Sequence, residues 1–261
     1  MQLIKRTTGY KLSPQALEVE AEQLTSFNEP HVTLTYEDGP HIYTYEGKRL
    51  TSVTGYIKKF FKPFDSDTIV KACASSWEVD PQAVKDLWDS NTSVSGKFGT
   101  AIHEALEHYE KFKDFGRVVS DKRENKENYA LPKHPLLKNI ILDFIAINKV
   151  EGKVLTEVMV TDIESGLCGT ADRIVIIDLD KKICRIGDYK INVDSEKKDS
   201  NCKPFPPFDM LPANKIAKYQ LQMSIYANML QKSGWTVTGL DVYIYENEWK
   251  HFELPVLKVI D

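Results

Sequence analysis

Three apolar, β-branched runs follow one another at residues 154–160, 167–177 and 182–191, separated by turn-prone stretches at 162–166 and 178–181. That pattern predicts consecutive antiparallel strands. The positions of the turns then fix which residues lie side by side. A tight hairpin over Leu179-Asp180-Lys181 sets Asp172 opposite Asp188, and a turn centred between Glu164 and Ser165 sets Glu157 opposite Asp172. Cross-strand neighbours have Cβ atoms roughly 4.5–5.5 Å apart, so three carboxylates are expected abreast. Lys190, two residues after Asp188, shares its face of the strand. A slip of one residue in either turn would scatter the group, so the prediction rests on register.

Acidic residues on one face of a meander are ordinarily a solvated surface. The flanking residues oppose that reading here, because Asp172 precedes Ile174-Val175-Ile176-Ile177 and Asp188 follows Ile183-Cys184-Arg185-Ile186. Carboxylates on such strands are costly to bury unless paired or bound to a cation, and Lys190 can satisfy only one of them. A hard divalent cation accounts for the set better, and carboxylates with a nearby lysine suit metal-dependent phosphodiester hydrolysis. Residues 96–107 read as a loop entering a helix whose apolar stripe is Ile102, Leu106 and Tyr109. His103 borders that stripe and Glu107 lies one turn further on. A histidine there is ordinarily a core residue, and it gains meaning only beside carboxylates suited to the same ion. Residues 216–230 have helical periodicity, with Gln222 and Tyr226 able to present an amide and a phenol together.

Taken in order, Gly99-Thr100-Ala101-Ile102-His103, Glu157, Gly169-Thr170-Ala171-Asp172, Asp188-Tyr189-Lys190 and Gln222-Met223-Ser224-Ile225-Tyr226 resemble the motifs of RecB-type nucleases of the PD-(D/E)XK superfamily. The resemblance covers residues 96–230, and the lead-in from His41 to Thr54 is similar to that of phage-encoded members. It implies an α/β restriction-endonuclease-like core, a mixed central β-sheet flanked by helices, and one or two Mg²⁺ or Mn²⁺ ions. By position, His103, Asp172, Asp188 and the backbone carbonyl of Tyr189 would bind metal. Glu157 would hold a second ion or place a water, and Lys190 would orient or deprotonate the attacking water or offset phosphate charge. Gln222, Tyr226 and Thr100 would contact the substrate or brace the site. The implied substrate is DNA with a free end or a single strand, with a helicase or recombinase as a conceivable partner. Several relatives carry a four-cysteine iron–sulfur cluster; Cys73, Cys168, Cys184 and Cys202 lack that spacing, so no cluster is expected and reduced thiols are.

Length and composition set the remaining bounds. With 261 residues and 42% hydrophobic content the chain can bury a full core. The expected division is an N-terminal hairpin and helical region at 1–95 packing on a nuclease core at 96–261. The start, Met1-Gln2-Leu3-Ile4-Lys5-Arg6-Thr7, lacks an apolar signal segment, and no run approaches the ~20 apolar residues of a membrane span. A cytoplasmic location is expected, that of the host for a phage protein. A net charge of −4 does not favour a DNA binder, although Lys58-Lys59 with Lys62, the mixed segment 111–126, and Lys197-Lys198 with Lys203 are local basic clusters. Phe60, Phe61, Phe64, Trp77 and Trp88 can serve as core residues or stack on bases. Two alternatives stay open: a carboxylate-rich phosphoesterase for small substrates, and a non-catalytic DNA-binding or assembly subunit that keeps the nuclease fold.

Overall fold

The structure, a computed structural model, describes residues 22–37, 42–113, 118–121, 126–129, 135–195 and 197–260. The chain first lays down a small antiparallel sheet, β1 (Glu22–Thr25), β2 (Thr33–Glu37), β3 (Ile42–Tyr45) and β4 (Lys48–Arg49). β2 and β3 pair antiparallel, in keeping with the N-terminal hairpin expected within 1–95, and residues 38–41 between them lie outside the described residues. A two-residue strand, β5 (Thr51–Ser52), then joins the main sheet. Ser52 caps the short helix α1 (Val53–Tyr56) by accepting from the Gly55 amide, and a 3-10 turn over Ile57–Phe60 follows.

Helices α2 (Ser66–Trp77) and α3 (Pro81–Phe112) make a hairpin capped by Asp65 and Asp80, with Pro81 in the first turn, where no amide is needed. One expectation fails at this point. Gly96 to Thr100 is not a loop entering a helix but the interior of α3, which runs unbroken through the expected 95/96 boundary. Glycine in a helix costs about 1 kcal/mol relative to alanine, and a capped helix of 32 residues absorbs that. Strands β6 (Val118–Asp121) and β7 (Lys126–Tyr129) pair with each other, and residues 114–117 and 122–125 of the mixed segment 111–126 lie outside the described residues.

After α4 (Pro135–Ile147) come the predicted strands, β8 (Lys153–Asp162), β9 (Leu167–Asp178) and β10 (Ile183–Ile191). A 3-10 turn (Ser200–Cys202), α5 (Lys215–Lys232) and the edge hairpin β11 (Thr236–Tyr245) and β12 (Trp249–Leu254) complete the main sheet. Its order is β12-β11-β10-β9, with β8 and β5 both on β9. β10 and β11 run parallel across the α5 crossover while the neighbouring pairs are antiparallel, so the sheet is mixed. One apolar layer packs α5 and α1 on the sheet through Val53, Ile174, Ile186, Leu221 and Ile225. The other packs α3 and α4 through Ile102, Leu106, Ile140 and Phe144 against Tyr189 and Tyr243. The N-terminal sheet rests on β8 and β9 through Val32, Leu34, Met159 and Cys168. Among the described residues no helix is long and apolar enough to cross a membrane.

Candidate metal centre

Register decides the site, and the strands deliver it by two different routes. In the β8–β9 ladder Asp162 pairs with Leu167, Val158 with Ala171 and Thr156 with Arg173, so Glu157 falls opposite Asp172 as the turn position requires. Glu157 itself bends out of the ladder at φ +51°, a left-handed conformation uncommon for a residue with a side chain. The β9–β10 connection departs from the expected tight hairpin. Residues 179–182 join Asp178 to Ile183, one residue more than predicted, and an irregularity between Ile183 and Cys184 absorbs the excess. Beyond it Cys184 faces Ile176 and Gly187 faces Arg173, so continuing the register by one position sets Asp188 beside Asp172.

There the two strands part. β10 continues along β11 as far as Ile191, while the edge of β9 that it leaves is next taken by β5 at Leu167 and Cys168. Asp172 and Asp188-Tyr189-Lys190 stand in this fork. The Tyr189 amide donates to Asp172 Oδ2 over 3.3 Å. His103 reaches in from α3, with Nδ1 3.6 Å from Asp172 Oδ2 and Nε2 3.0 Å from the Tyr189 carbonyl oxygen. The Lys190 ammonium lies 2.7 Å from both Asp188 oxygens and 3.3 Å from the Tyr189 carbonyl oxygen.

Burial governs the electrostatics. It pushes the Asp188 carboxyl up to about 7, with Asp172 adding to the rise and Lys190 opposing it. Burial alone would lower the Lys190 pKa, but Asp188 and Asp172 outweigh it and keep the ammonium protonated. His103 is lowered, first by burial and then by the charge of Lys190, which favours the neutral imidazole that a metal needs. Glu157 is raised, first by burial and then by Glu107. In cation-free protein the folded state thus holds the Asp188 proton more tightly than an unfolded carboxyl titrating near 3.9. The corresponding stability is present below about pH 4 and lost as the pH climbs through about 7. Thermal melts in EDTA between about pH 5 and 8 should fall more steeply for the wild type than for Asp188→Asn. Parallel slopes would mean that Asp188 is already ionised across that range.

The donors present suit a hard divalent ion. His103, Glu157 and Asp172 each offer an atom within 4.8 Å of the others. Asp188 Oδ2 is buried without a well-angled hydrogen-bond donor. The grouping differs in one respect from the expected set of His103, Asp172 and Asp188. Glu157 groups with His103 and Asp172 within 4.8 Å, and the Lys190 ammonium is the counter-ion to Asp188.

The helical motif residues divide between bracing and access. Tyr226 is 4% exposed, and its hydroxyl donates to the Thr170 carbonyl oxygen over 2.9 Å, so it braces the strand that carries Asp172 and does not face a substrate. Gln222 is half-buried on α5, and Thr100 is exposed on α3 one turn before His103. Gly169 makes the bracing possible, since a Cβ there would lie 2.7 Å from the Tyr226 oxygen. Gly169→Ala should therefore cost about 1–3 kcal/mol by overpacking, read as a lowered denaturation midpoint; an unchanged midpoint would show that the phenol yields freely. Tyr219 was legible only as part of an apolar stripe, yet its ring lies 5.2 Å from Lys190 Nζ. Its spacing of three and seven from Gln222 and Tyr226 is the signal that places it on their side of α5. The four cysteines are free thiols on α2, β9, β10 and the 3-10 turn before α5, and burial pushes Cys168 and Cys184 up to about 12.

Comparison of the chain with protein-family models, curated proteins and solved structures finds no match.

Proposed function

We propose that this protein is a metal-dependent DNA nuclease of the PD-(D/E)XK type, an exonuclease that trims DNA ends in replication, recombination or repair. The observation that carries the reading is the strand fork that sets Glu157, Asp172 and Asp188 abreast, with the Lys190 ammonium against Asp188. His103, Asp172, Asp188 and the Tyr189 carbonyl would hold Mg²⁺ or Mn²⁺, with Glu157 serving a second ion or a water. Such a cation, when bound, supplies Lewis acidity, an acidified water and a template for in-line displacement.

The chain's own groups supply the rest. Of the two roles open to Lys190, charge stabilisation fits its protonated state, since an ammonium held by Asp188 and Asp172 is a poor proton acceptor. It donates to the attacking water or to a phosphate oxygen, where negative charge develops. Tyr226 and Gly169 keep the Asp172 strand in place, and Thr100 and Gln222 are the motif residues left to meet the DNA backbone. A net charge of −4 fits transient or partner-assisted contact, with a helicase or recombinase as the kind of partner that would deliver strand ends.

End-labelled single-stranded, duplex and circular DNA, incubated with Mg²⁺, Mn²⁺ or EDTA, test this reading beside Asp188→Ala. The expected result is metal-dependent loss of linear DNA that spares circles and vanishes in the variant. Cutting of circles would make the enzyme an endonuclease. DNA binding with no cleavage by either protein would make it a binding or assembly subunit.

A further inference from the structure

A cavity of about 580 Å³ opens between the segment after the 3-10 turn Ile57–Phe60 and the 3-10 turn Ser200–Cys202, and the chemistry above does not use it. Its size falls in the ~300–1,000 Å³ range of small-molecule sites. One wall is aromatic, made of Phe61, which is buried, and Phe64, which is 60% exposed. The polar lining is cationic, with Lys58, Lys62 and Lys218 against the carboxylate of Asp199. Lys218 Nζ lies 6.0 Å from the centre of the Phe61 ring. In a chain of net charge −4, three ammonium groups beside an accessible ring form a local site for a planar, anionic ligand.

Its position relates it to the metal centre. Lys218 faces the cavity, and the next residue on α5, Tyr219, lies against Lys190. The Tyr219 phenol is within electrostatic reach of Lys190 and Asp188 on one side and of Cys202, in the cavity wall, on the other. The cavity and the strand fork thus flank adjacent residues of α5, Lys218 lining the one and Tyr219 lying against Lys190 in the other.

We propose that this cavity binds one nucleotide unit of a single DNA strand, its base stacked on Phe64 and its phosphate held by Lys58, Lys62 and Lys218, next to the centre that would cleave that strand. The identity of the strand as substrate rests on the nuclease reading, whereas the binding chemistry does not. A ring platform with a cationic rim is the combination that binds single strands without reading their sequence.

Binding is measured in EDTA, so that cleavage plays no part, with thymidine monophosphate, inorganic phosphate and an oligothymidylate as probes. Trp88, whose ring centre is 6.3 Å from that of Phe64, provides a fluorescence signal beside calorimetry. Phe64→Ala should weaken the nucleotide and the oligonucleotide by about tenfold. Lys62→Ala combined with Lys218→Ala should flatten the log–log salt dependence of oligonucleotide binding by about 0.7, the loss of one phosphate contact. All three positions are exposed, and Lys181→Ala, in the turn between β9 and β10, should change nothing.

Affinities that ignore these substitutions would overturn the proposal. So would inorganic phosphate binding as well as the nucleotide, or the mononucleotide binding while the oligonucleotide does not. The two readings fail separately. Probe binding that responds as expected in a protein that cleaves nothing keeps the cavity and removes the nuclease. Cleavage that persists while binding is indifferent to Phe64 and the lysines does the reverse.

Discussion

Lys190→Ala is expected to lower DNA cleavage by on the order of 10³-fold while Mn²⁺ still binds within a few-fold of the wild-type affinity. The lysine stands 2.7 Å from Asp188 and is absent from the His103, Glu157 and Asp172 trio, so its loss removes a charge from the reaction and no donor from the cation. Calorimetric titration with Mn²⁺ and single-turnover cleavage on the same preparation separate the two effects. Cleavage within about tenfold of wild type would take Lys190 out of the chemistry. The substitution also leaves Asp188 buried without its counter-ion, so the cation-free variant should melt lower, and added Mn²⁺ should recover much of the difference. Lys190→Arg is a poor rescue, because a planar fork cannot take the place of a compact ammonium between Asp188 and the Tyr189 carbonyl.

The largest stability effect is expected one residue from Asp172. Arg173 is fully buried, donates through Nε to Glu110 Oε1 over 3.2 Å, and reaches Asn148 Oδ1 over 3.3 Å. Its guanidinium carbon lies 6.0 and 5.8 Å from the rings of Phe144 and Tyr243. Glu110→Ala strands that cation in a layer with little water, and removing one partner of such a pair costs about 3–5 kcal/mol. Urea unfolding measures the loss. The double variant Glu110→Leu with Arg173→Met should recover much of it, since an apolar pair of similar volume leaves no charge uncompensated. A single-variant cost below about 1 kcal/mol, the value of a surface pair, would show that water reaches the guanidinium. Arg173 and Asp172 are consecutive on β9, so Glu110→Ala should also weaken Mn²⁺ binding by displacing the strand.

Much of the site could be read from the sequence because period and turn position are local properties. Alternation and β-branching placed β8, β9 and β10, and the turn after Asp162 set Glu157 against Asp172 with no tertiary knowledge. Aligning Asp172 with Asp188 was also legible, although the structure reaches it through a four-residue connection and a compensating irregularity. Helix α3 was misread for a physical reason. Gly96 and Gly99 signal a break when taken alone, but a long capped helix packed on the sheet absorbs them.

Other features belong to no single segment. Glu110, Asn148 and Arg173 are far apart in sequence, and only the packing of α3 and α4 on the sheet makes them one buried network. The inward turn of the Tyr226 hydroxyl depends on α5 crossing β9, and the basic, aromatic cavity forms only where residues 58–64 meet residues 199–202 and Lys218. The sequence by itself determined β8, β9 and β10, the β8–β9 register and the carboxylates they carry, because side-chain alternation and turn length operate over a few residues. Tertiary structure alone decided that His103 closes on Glu157 and Asp172 to within 4.8 Å, that Lys190 holds Asp188 as an ammonium, and that the Tyr226 hydroxyl turns onto the Thr170 carbonyl. Those outcomes depend on burial and charge, and both are set by what the rest of the chain packs against the fork.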